Sequence, residues 1–255
     1  MKKSSFAGLL YREFYLGKPS YIIQLIIFLM FALVGLLAVL SMNSGNLKLL
    51  LSEDVIADRS QAEELRKALI SCIRLFPASM IGTFIFGPAD VASKDAMILW
   101  ERYEHCTPVT PKMYALVKLT ATVAVSAFAF LLSFLYLFVT DIALGKISTN
   151  FGYIFVFLLL TFFIVFNVLA QIFITFFRSR DIGMIVSMIV MIGGLSAVSV
   201  FINSKGESMA DDQVMDLSEI AEAIHDKLPI MLILIFLVYV LFFVSMYLLY
   251  KRREK

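Results

Sequence analysis

The sequence is poor in charge, and this scarcity excludes an ordinary soluble fold. Only 16% of its 255 residues are charged and 60% are hydrophobic, whereas soluble domains have about 25% and 45–50%. Two cysteines and two histidines predict neither a disulfide framework nor a Cys/His metal cluster. The phosphate-binding pattern G-x-x-x-x-G-K-[ST] does not occur, so nucleotide binding of that kind is excluded. A basic stripe with interleaved aromatic residues is absent too, and we expect no nucleic-acid partner.

The sequence has long apolar runs instead, and several reach the roughly 20 residues that cross a hydrocarbon core. We therefore predict an all-α membrane protein, with one transmembrane domain over residues 1–255. The first run begins near Tyr21. It is too long for the apolar region of a signal peptide and lacks a small-residue cleavage site, so it should remain as a helix. The six predicted spans are about 21–41, 68–86, 113–139, 151–177, 182–202 and 230–250.

The polar parts of the chain predict its orientation. Residues 1–19 combine basic side chains with an apolar face, which is typical of an interfacial helix, and Pro19 is expected to end that helix and turn the chain upright. Placing both termini, the loop 87–112 and the turn 178–181 on one side gives that side thirteen basic residues, against seven on the other. The positive-inside rule then puts both termini in the cytoplasm and the segments 42–67 and 203–228 outside.

A few polar or small residues inside the spans are candidates for function or packing. Arg74, Asn167 and Gln171 could line a substrate path. The favoured alternatives are an interfacial arginine with its charge in water and amides that bond a neighbouring helix. Gly193 and Gly194 are expected to permit close helix approach.

The loop 87–112, which we call the coupling loop, holds the only tryptophan of the chain. Ser93 is a candidate N-cap for a short helix from Lys94 to Glu104 along the cytoplasmic surface. Its apolar face would contact the membrane body. The alternative is a solvated loop without a partner. The charged side chains predicted to face a soluble partner are Asp95, Glu101, Arg102 and Glu104.

At this point the residues resemble a known family. The order Asp95…Trp100-Glu101-x-Tyr103…Thr107-Pro108-Val109-Thr110…Tyr114…Lys118 is similar to a pattern in small bacterial permeases of ABC-2 type exporters. That group includes permeases of exporters for phenol-soluble modulins and other antimicrobial peptides. The likeness in layout covers essentially the whole chain.

The resemblance implies a multi-pass permease in the bacterial cytoplasmic membrane that exports a hydrophobic or amphipathic substrate, here a peptide, by alternating access. It implies a separate ABC ATP-binding subunit that holds ATP and Mg, and a second permease copy or paralogue. This chain itself would hold no cofactor, metal or catalytic residue. The residues implied in coupling to the ATPase are Asp95, Trp100, Glu101, Arg102, Tyr103 and Glu104.

Two alternatives from other classes remain open. Gly194-Leu-Ser196 matches part of an intramembrane serine hydrolase pattern, but a serine nucleophile needs a base within hydrogen-bond reach. No predicted span contains a histidine, since His105 and His225 both lie in polar segments. The third class is a channel or scaffold that works without nucleotide.

Overall fold

The computed structural model describes residues 2–43, 59–97, 109–143, 151–205 and 228–253. Within these ranges the chain forms helices and no strand, which confirms the all-α prediction for the described residues. In chain order the elements are α1 Lys2–Asn43, α2 Arg59–Met80, a 3₁₀ segment Ile81–Phe86, α3 Gly87–Met97, α4 Pro111–Ala143, α5 Phe151–Phe177, α6 Arg180–Lys205 and α7 Leu228–Arg253.

Five stretches of these helices are long and apolar enough to cross a membrane. They are Phe6–Ala38, Ile70–Met97, Pro111–Ala143, Gly152–Phe177 and Pro229–Arg252. The predicted span 182–202 lies in α6, which is not among the five, so the number six stays a prediction. Most of the two polar segments 42–67 and 203–228 lies outside the described residues.

The predicted turn at Pro19 is wrong, because α1 runs from Lys2 to Asn43 with Pro19 inside it. Proline cannot donate to the carbonyl four residues earlier, but membrane helices tolerate this when neighbouring groups bond the nearby carbonyls. Lys94 Nζ donates to the Leu16 carbonyl at 2.9 Å. The N-terminal segment is therefore the first part of α1 and not a separate helix ended at Pro19.

The coupling loop begins later than its predicted start at Gly87. Helix α2, the 3₁₀ segment and α3 follow one another without a gap to Met97, and one candidate span covers Ile70–Met97. The small side chains of Ala89, Ala92 and Ala96 are buried against α5, which keeps this segment packed in the bundle. Ser93 lies inside α3 with 1% of its surface exposed, so its predicted N-cap role is wrong.

Helix α4 is central, since it packs against α1, α2, the 3₁₀ segment, α5 and α7. Small residues on α4 let its neighbours approach closely, as is usual between membrane helices. Ala129 and Ser133 are fully buried, and Ser133 Oγ donates to the Ala78 carbonyl of α2 at 3.0 Å. The faces of α1 and α7 that point away from the bundle expose large apolar side chains, such as Leu33 at 62% and Phe236 at 67%.

Gly183 is the glycine at which α5 and α6 approach each other closely. A Cβ added at Gly183 would lie 2.6 Å from the backbone of Ile174, so any side chain there would displace α5. A Cβ at Gly193 or Gly194 meets nothing within 4 Å among the described residues. The close approach expected at Gly193 and Gly194 therefore has no counterpart among the described residues and stays a prediction.

Candidate functional site

Four charged side chains meet at one end of the bundle, and we call them the ionic tetrad: Arg12, Glu13, Asp95 and Lys118. Lys118 Nζ lies 2.9 Å from Glu13 Oε2 and 2.9 Å from Asp95 Oδ2. Arg12 pairs with the other oxygen of Asp95 and lies 3.5 Å from Glu13. Lys118 and Glu13 are each 4% exposed and Asp95 is 7% exposed. The tetrad therefore links α1, α3 and α4 through buried charges.

The pairing within the tetrad explains why such burial is tolerated. An isolated buried charge is very costly, and burial is acceptable only where each charge has an opposite partner and hydrogen bonds. Two cations face two anions here, so the formal charge of the group is zero. Next to it, Lys94 bonds Asp90 at 2.9 Å within α3 and the Leu16 carbonyl of α1. Polar contacts therefore hold α1 and α3 together over more than one turn.

The predicted direction of Asp95 is wrong, since its carboxylate points into the bundle and not toward a soluble partner. Its α3 helix continues the span, so Asp95 faces Lys118 and Arg12 across the helix interface. The other residues predicted to couple to an ATPase lie outside the described residues: Trp100, Glu101, Arg102, Tyr103 and Glu104.

Sequence reasoning missed Glu13 as a site residue, although two signals were available. Glu13 is the only acidic residue before Glu53, and Lys118 is the only charged residue between Lys112 and Asp141. A lone charge inside an apolar segment is a functional or structural signal, because it needs a buried partner. The two signals mark Glu13 and Lys118 as residues that need buried partners, but they do not say that the two residues contact each other.

A second buried ion pair, the distal pair, lies at the other end of the bundle. Arg74 Nη2 of α2 is 2.5 Å from Asp141 Oδ1 of α4, and Tyr153 of α5 donates to Asp141 Oδ2 at 2.8 Å. Arg74 is 8% and Asp141 6% exposed. The interpretation of Arg74 as an interfacial side chain with its charge in water is therefore wrong. Its role in a substrate path stays a prediction.

The two ionic groups are separated by the apolar thickness of the bundle. Lys118 and Asp141 lie 23 residues apart on α4, which is about 35 Å at a helical rise of about 1.5 Å per residue. A hydrocarbon core is about 30 Å thick. The part of α4 between Lys118 and Asp141 is therefore long enough to cross the hydrocarbon core of a membrane.

A polar layer lies between α4 and α5, and it consists of Thr122, Ser126, Asn167 and Gln171. Gln171 Nε2 donates to Thr122 Oγ1 at 3.0 Å, which confirms for this amide the predicted bond to a neighbouring helix. Ser126 Oγ donates to the Thr122 carbonyl at 2.8 Å. Asn167 is fully buried, and among the described residues its amide nitrogen and oxygen have no hydrogen-bond partner. Both amides remain candidates for a substrate path.

The geometry at Ser196 gives no support to a serine nucleophile. Its side chain is exposed, and its hydroxyl donates to the Ile192 carbonyl of its own helix at 2.9 Å. His105 and His225 lie outside the described residues. Within the described ranges, no group of three His, Cys, Asp or Glu side chains could hold a metal ion.

No protein-family model, no curated protein and no solved structure matches the chain.

Proposed function

We propose that this chain is the membrane-spanning permease subunit of an ABC-2 type exporter, energised by a separate ATP-binding chain. The observation that carries this proposal is the contact, within the ionic tetrad, between the two helices that flank residues 98–110 of the coupling loop. Asp95 lies two residues before the end of α3 at Met97, and Lys118 lies two turns into α4. Residues 98–110 connect these two helices in the chain, and the 2.9 Å contact between Asp95 and Lys118 joins the helices on either side of them.

This arrangement suits the transmission of force. A soluble subunit that pushes on the loop moves the ends of α3 and α4, and the ion pair makes these two ends move together. Because Lys118 also binds Glu13, the first part of α1 follows. Three helices of the bundle therefore respond to one contact, which is the requirement for rocking the halves of a transporter about a central interface.

The proposal further includes six membrane spans, with both termini of the chain in the cytoplasm. Tyr114 near the start of α4 stacks on Tyr250 near the end of α7, with ring centroids 5.5 Å apart. Phe176 at the end of α5 lines a cleft with Leu249 of α7. Helix α6 starts where α5 ends, whereas α7 starts at the opposite end of the bundle. The chain must return across the bundle between them, and α6, with 26 residues, is long enough to do so.

The transported substrate in this proposal is a hydrophobic or amphipathic molecule, of which a peptide is the first candidate. Two permease chains would enclose the path, and two partner chains would bind ATP and Mg. In this proposal the amide of Asn167, which has no hydrogen-bond partner among the described residues, and the neighbouring Gln171 offer polar groups to the substrate, and Arg74 contributes at the distal end. The localisation is the bacterial cytoplasmic membrane.

The coupling loop is tested by co-purification. We expect a tagged chain to retain a co-expressed ATP-binding chain, and Trp100→Ala/Glu101→Ala to weaken the affinity between the two chains about thirtyfold and so to lower the retained amount. Truncating a tryptophan at the centre of an interface typically costs about 2 kcal/mol or more, and about 1.4 kcal/mol is a factor of ten in affinity. The measurement is the molar ratio of the two chains after purification, from quantitative gel densitometry.

The matched control is Arg180→Ala/Asp181→Ala, which alters two exposed charged residues at the same end of the bundle but outside the coupling loop. We expect this control to retain the partner as the unaltered chain does. Equal loss from both double variants would contradict the assignment of the loop. Retention of the partner by Trp100→Ala/Glu101→Ala would do the same.

A further inference from the structure

Asn167 carries a buried amide that needs a hydrogen-bond partner. None of its surface is exposed, and among the described residues neither Nδ2 nor Oδ1 makes a hydrogen bond. Buried polar groups in native proteins are nearly always hydrogen-bonded, because an unpaired group costs free energy. The amide must both donate from Nδ2 and accept at Oδ1. These properties point to a small ligand that can accept and donate.

Two contacts establish how α4 and α5 lie against each other. Tyr153 of α5 bonds Asp141 of α4 toward one end of the pair, and Gln171 of α5 bonds Thr122 of α4 toward the other. Between the two contacts the chain advances 18 residues along α5 and 19 residues back along α4. The helices are therefore antiparallel, and they keep their register to within one residue over about five turns.

This register places Ser126 of α4 level with Asn167. Asn167 lies one turn before Gln171, and Ser126 lies one turn after Thr122, so both are displaced in the same direction. Ser126 is 3% exposed. Its hydroxyl donates to the Thr122 carbonyl and is also hydrogen-bonded to Tyr239 of α7. Since its hydrogen is used at the carbonyl, Ser126 Oγ accepts from Tyr239 and has one further lone pair for another donor.

We propose that water is bound between Asn167 and Ser126, inside the membrane part of the bundle. Water accepts from an N–H and donates to an oxygen, whereas a cation would serve only Oδ1 of the amide and an anion only Nδ2. Polar groups that face each other beyond hydrogen-bond distance are commonly bridged by water. Ser126 lies eight residues from Lys118 on α4, which is about 12 Å into the apolar segment.

The bound water does not depend on the export function, but it bears on a substrate path. In this conformation the Asn167 amide faces water and not a substrate. A transported molecule reaches the amide only by displacing that water, and it then has to supply both a donor and an acceptor to match what it removes. Peptide groups carry both.

The experiment detects magnetisation transfer from water to the Asn167 side chain, by solid-state NMR of the chain in lipid bilayers. Labelling with nitrogen-15 asparagine gives a single side-chain amide signal once the other four asparagines are changed to serine, namely Asn43, Asn46, Asn150 and Asn203. We expect the Nδ2 signal of Asn167 to receive magnetisation from water at short mixing times, although the residue is fully buried.

Two serine variants of this labelled chain separate a bound water from general hydration. Ser126→Ala removes one of the about three hydrogen bonds that a buried water makes, so we expect the transfer to fall at least about twofold. Ser133→Ala is the control, because Ser133 is fully buried on the same helix but donates to the Ala78 carbonyl of α2. This control keeps the transfer.

Three results would overturn the proposal. They are no transfer from water to Asn167, full transfer in Ser126→Ala, and equal loss in Ser126→Ala and Ser133→Ala. All of these measurements use the chain without an ATP-binding partner, so their outcome is separate from that of the export proposal.

Discussion

Lys118→Met lowers the free energy of unfolding by about 3–5 kcal/mol, because it leaves a buried charge without its partner. Lys118 is 4% exposed and contacts both carboxylates of the ionic tetrad. After the substitution Arg12 still pairs with Asp95, but Glu13 keeps only the 3.5 Å contact with Arg12. The measurement is unfolding in mixed micelles as the fraction of denaturing detergent is raised.

This prediction has a control outside the tetrad, on the same helix, and a compensating double variant within the tetrad. Lys112→Met removes an exposed lysine from the first turn of the same helix and should change stability by less than about 0.5 kcal/mol. Lys118→Met/Glu13→Gln removes one cation and one anion together and leaves the Arg12–Asp95 pair intact, so we expect it to recover at least half of the loss. If Lys118→Met were no more destabilising than Lys112→Met, the tetrad would not hold the helices together.

Arg74→Met has an effect of similar size at the other end of the bundle, again about 3–5 kcal/mol. The substitution removes the cation that pairs with the Asp141 carboxylate. The hydrogen bond from the Tyr153 hydroxyl alone does not offset the free-energy cost of burying that charge. Arg74→Met/Asp141→Asn contains no buried charge at this site, while the asparagine still accepts from Tyr153. We therefore expect the double variant to be more stable than Arg74→Met.

A double-mutant cycle over Arg74 and Asp141, read by the same detergent titration, measures this coupling. The expected interaction energy exceeds about 1 kcal/mol, which is above the range of exposed ion pairs. Arg180→Met serves as the control, because that side chain is exposed. Additive effects of the two single changes would show that the distal pair contributes no more than a surface ion pair.

The sequence predicts the helices well and the contacts between them poorly. The span starts at 113, 151 and 230 lie within two residues of the helix starts Pro111, Phe151 and Leu228, since a long apolar run in lipid can satisfy its backbone only as a helix. The helix end expected at Pro19 and the loop start expected at Gly87 are both wrong, because neighbouring groups and small side chains let the helices continue. The helix propensity of a local segment carries no information about neighbours that are distant in sequence.

The buried charges could not be assigned from local pattern either. Glu13 and Lys118 are 105 positions apart, and Asp95 faces Lys118 of α4 and Arg12 of α1, so these contacts follow from tertiary packing and not from the neighbouring residues in the chain. Asp141 falls just past the predicted end of the third span at Val139, so the span pattern does not mark it as a buried charge. Arg74 lies inside the predicted span 68–86, and without a visible partner its charge was expected to reach water.

The most direct test of the central claim reports on the distal end while ATP acts at the coupling loop. Cys72 is exposed, two residues from Arg74, and it takes a thiol-reactive fluorophore once Cys106 is changed to serine and co-purification is verified. In the complex with the ATP-binding chain, we expect ATP with vanadate to change the quenching of this label by iodide, and Trp100→Ala/Glu101→Ala to abolish the change. If the complex hydrolyses ATP while quenching at Cys72 stays constant, or if no ATP-binding chain joins the complex, the permease account is contradicted.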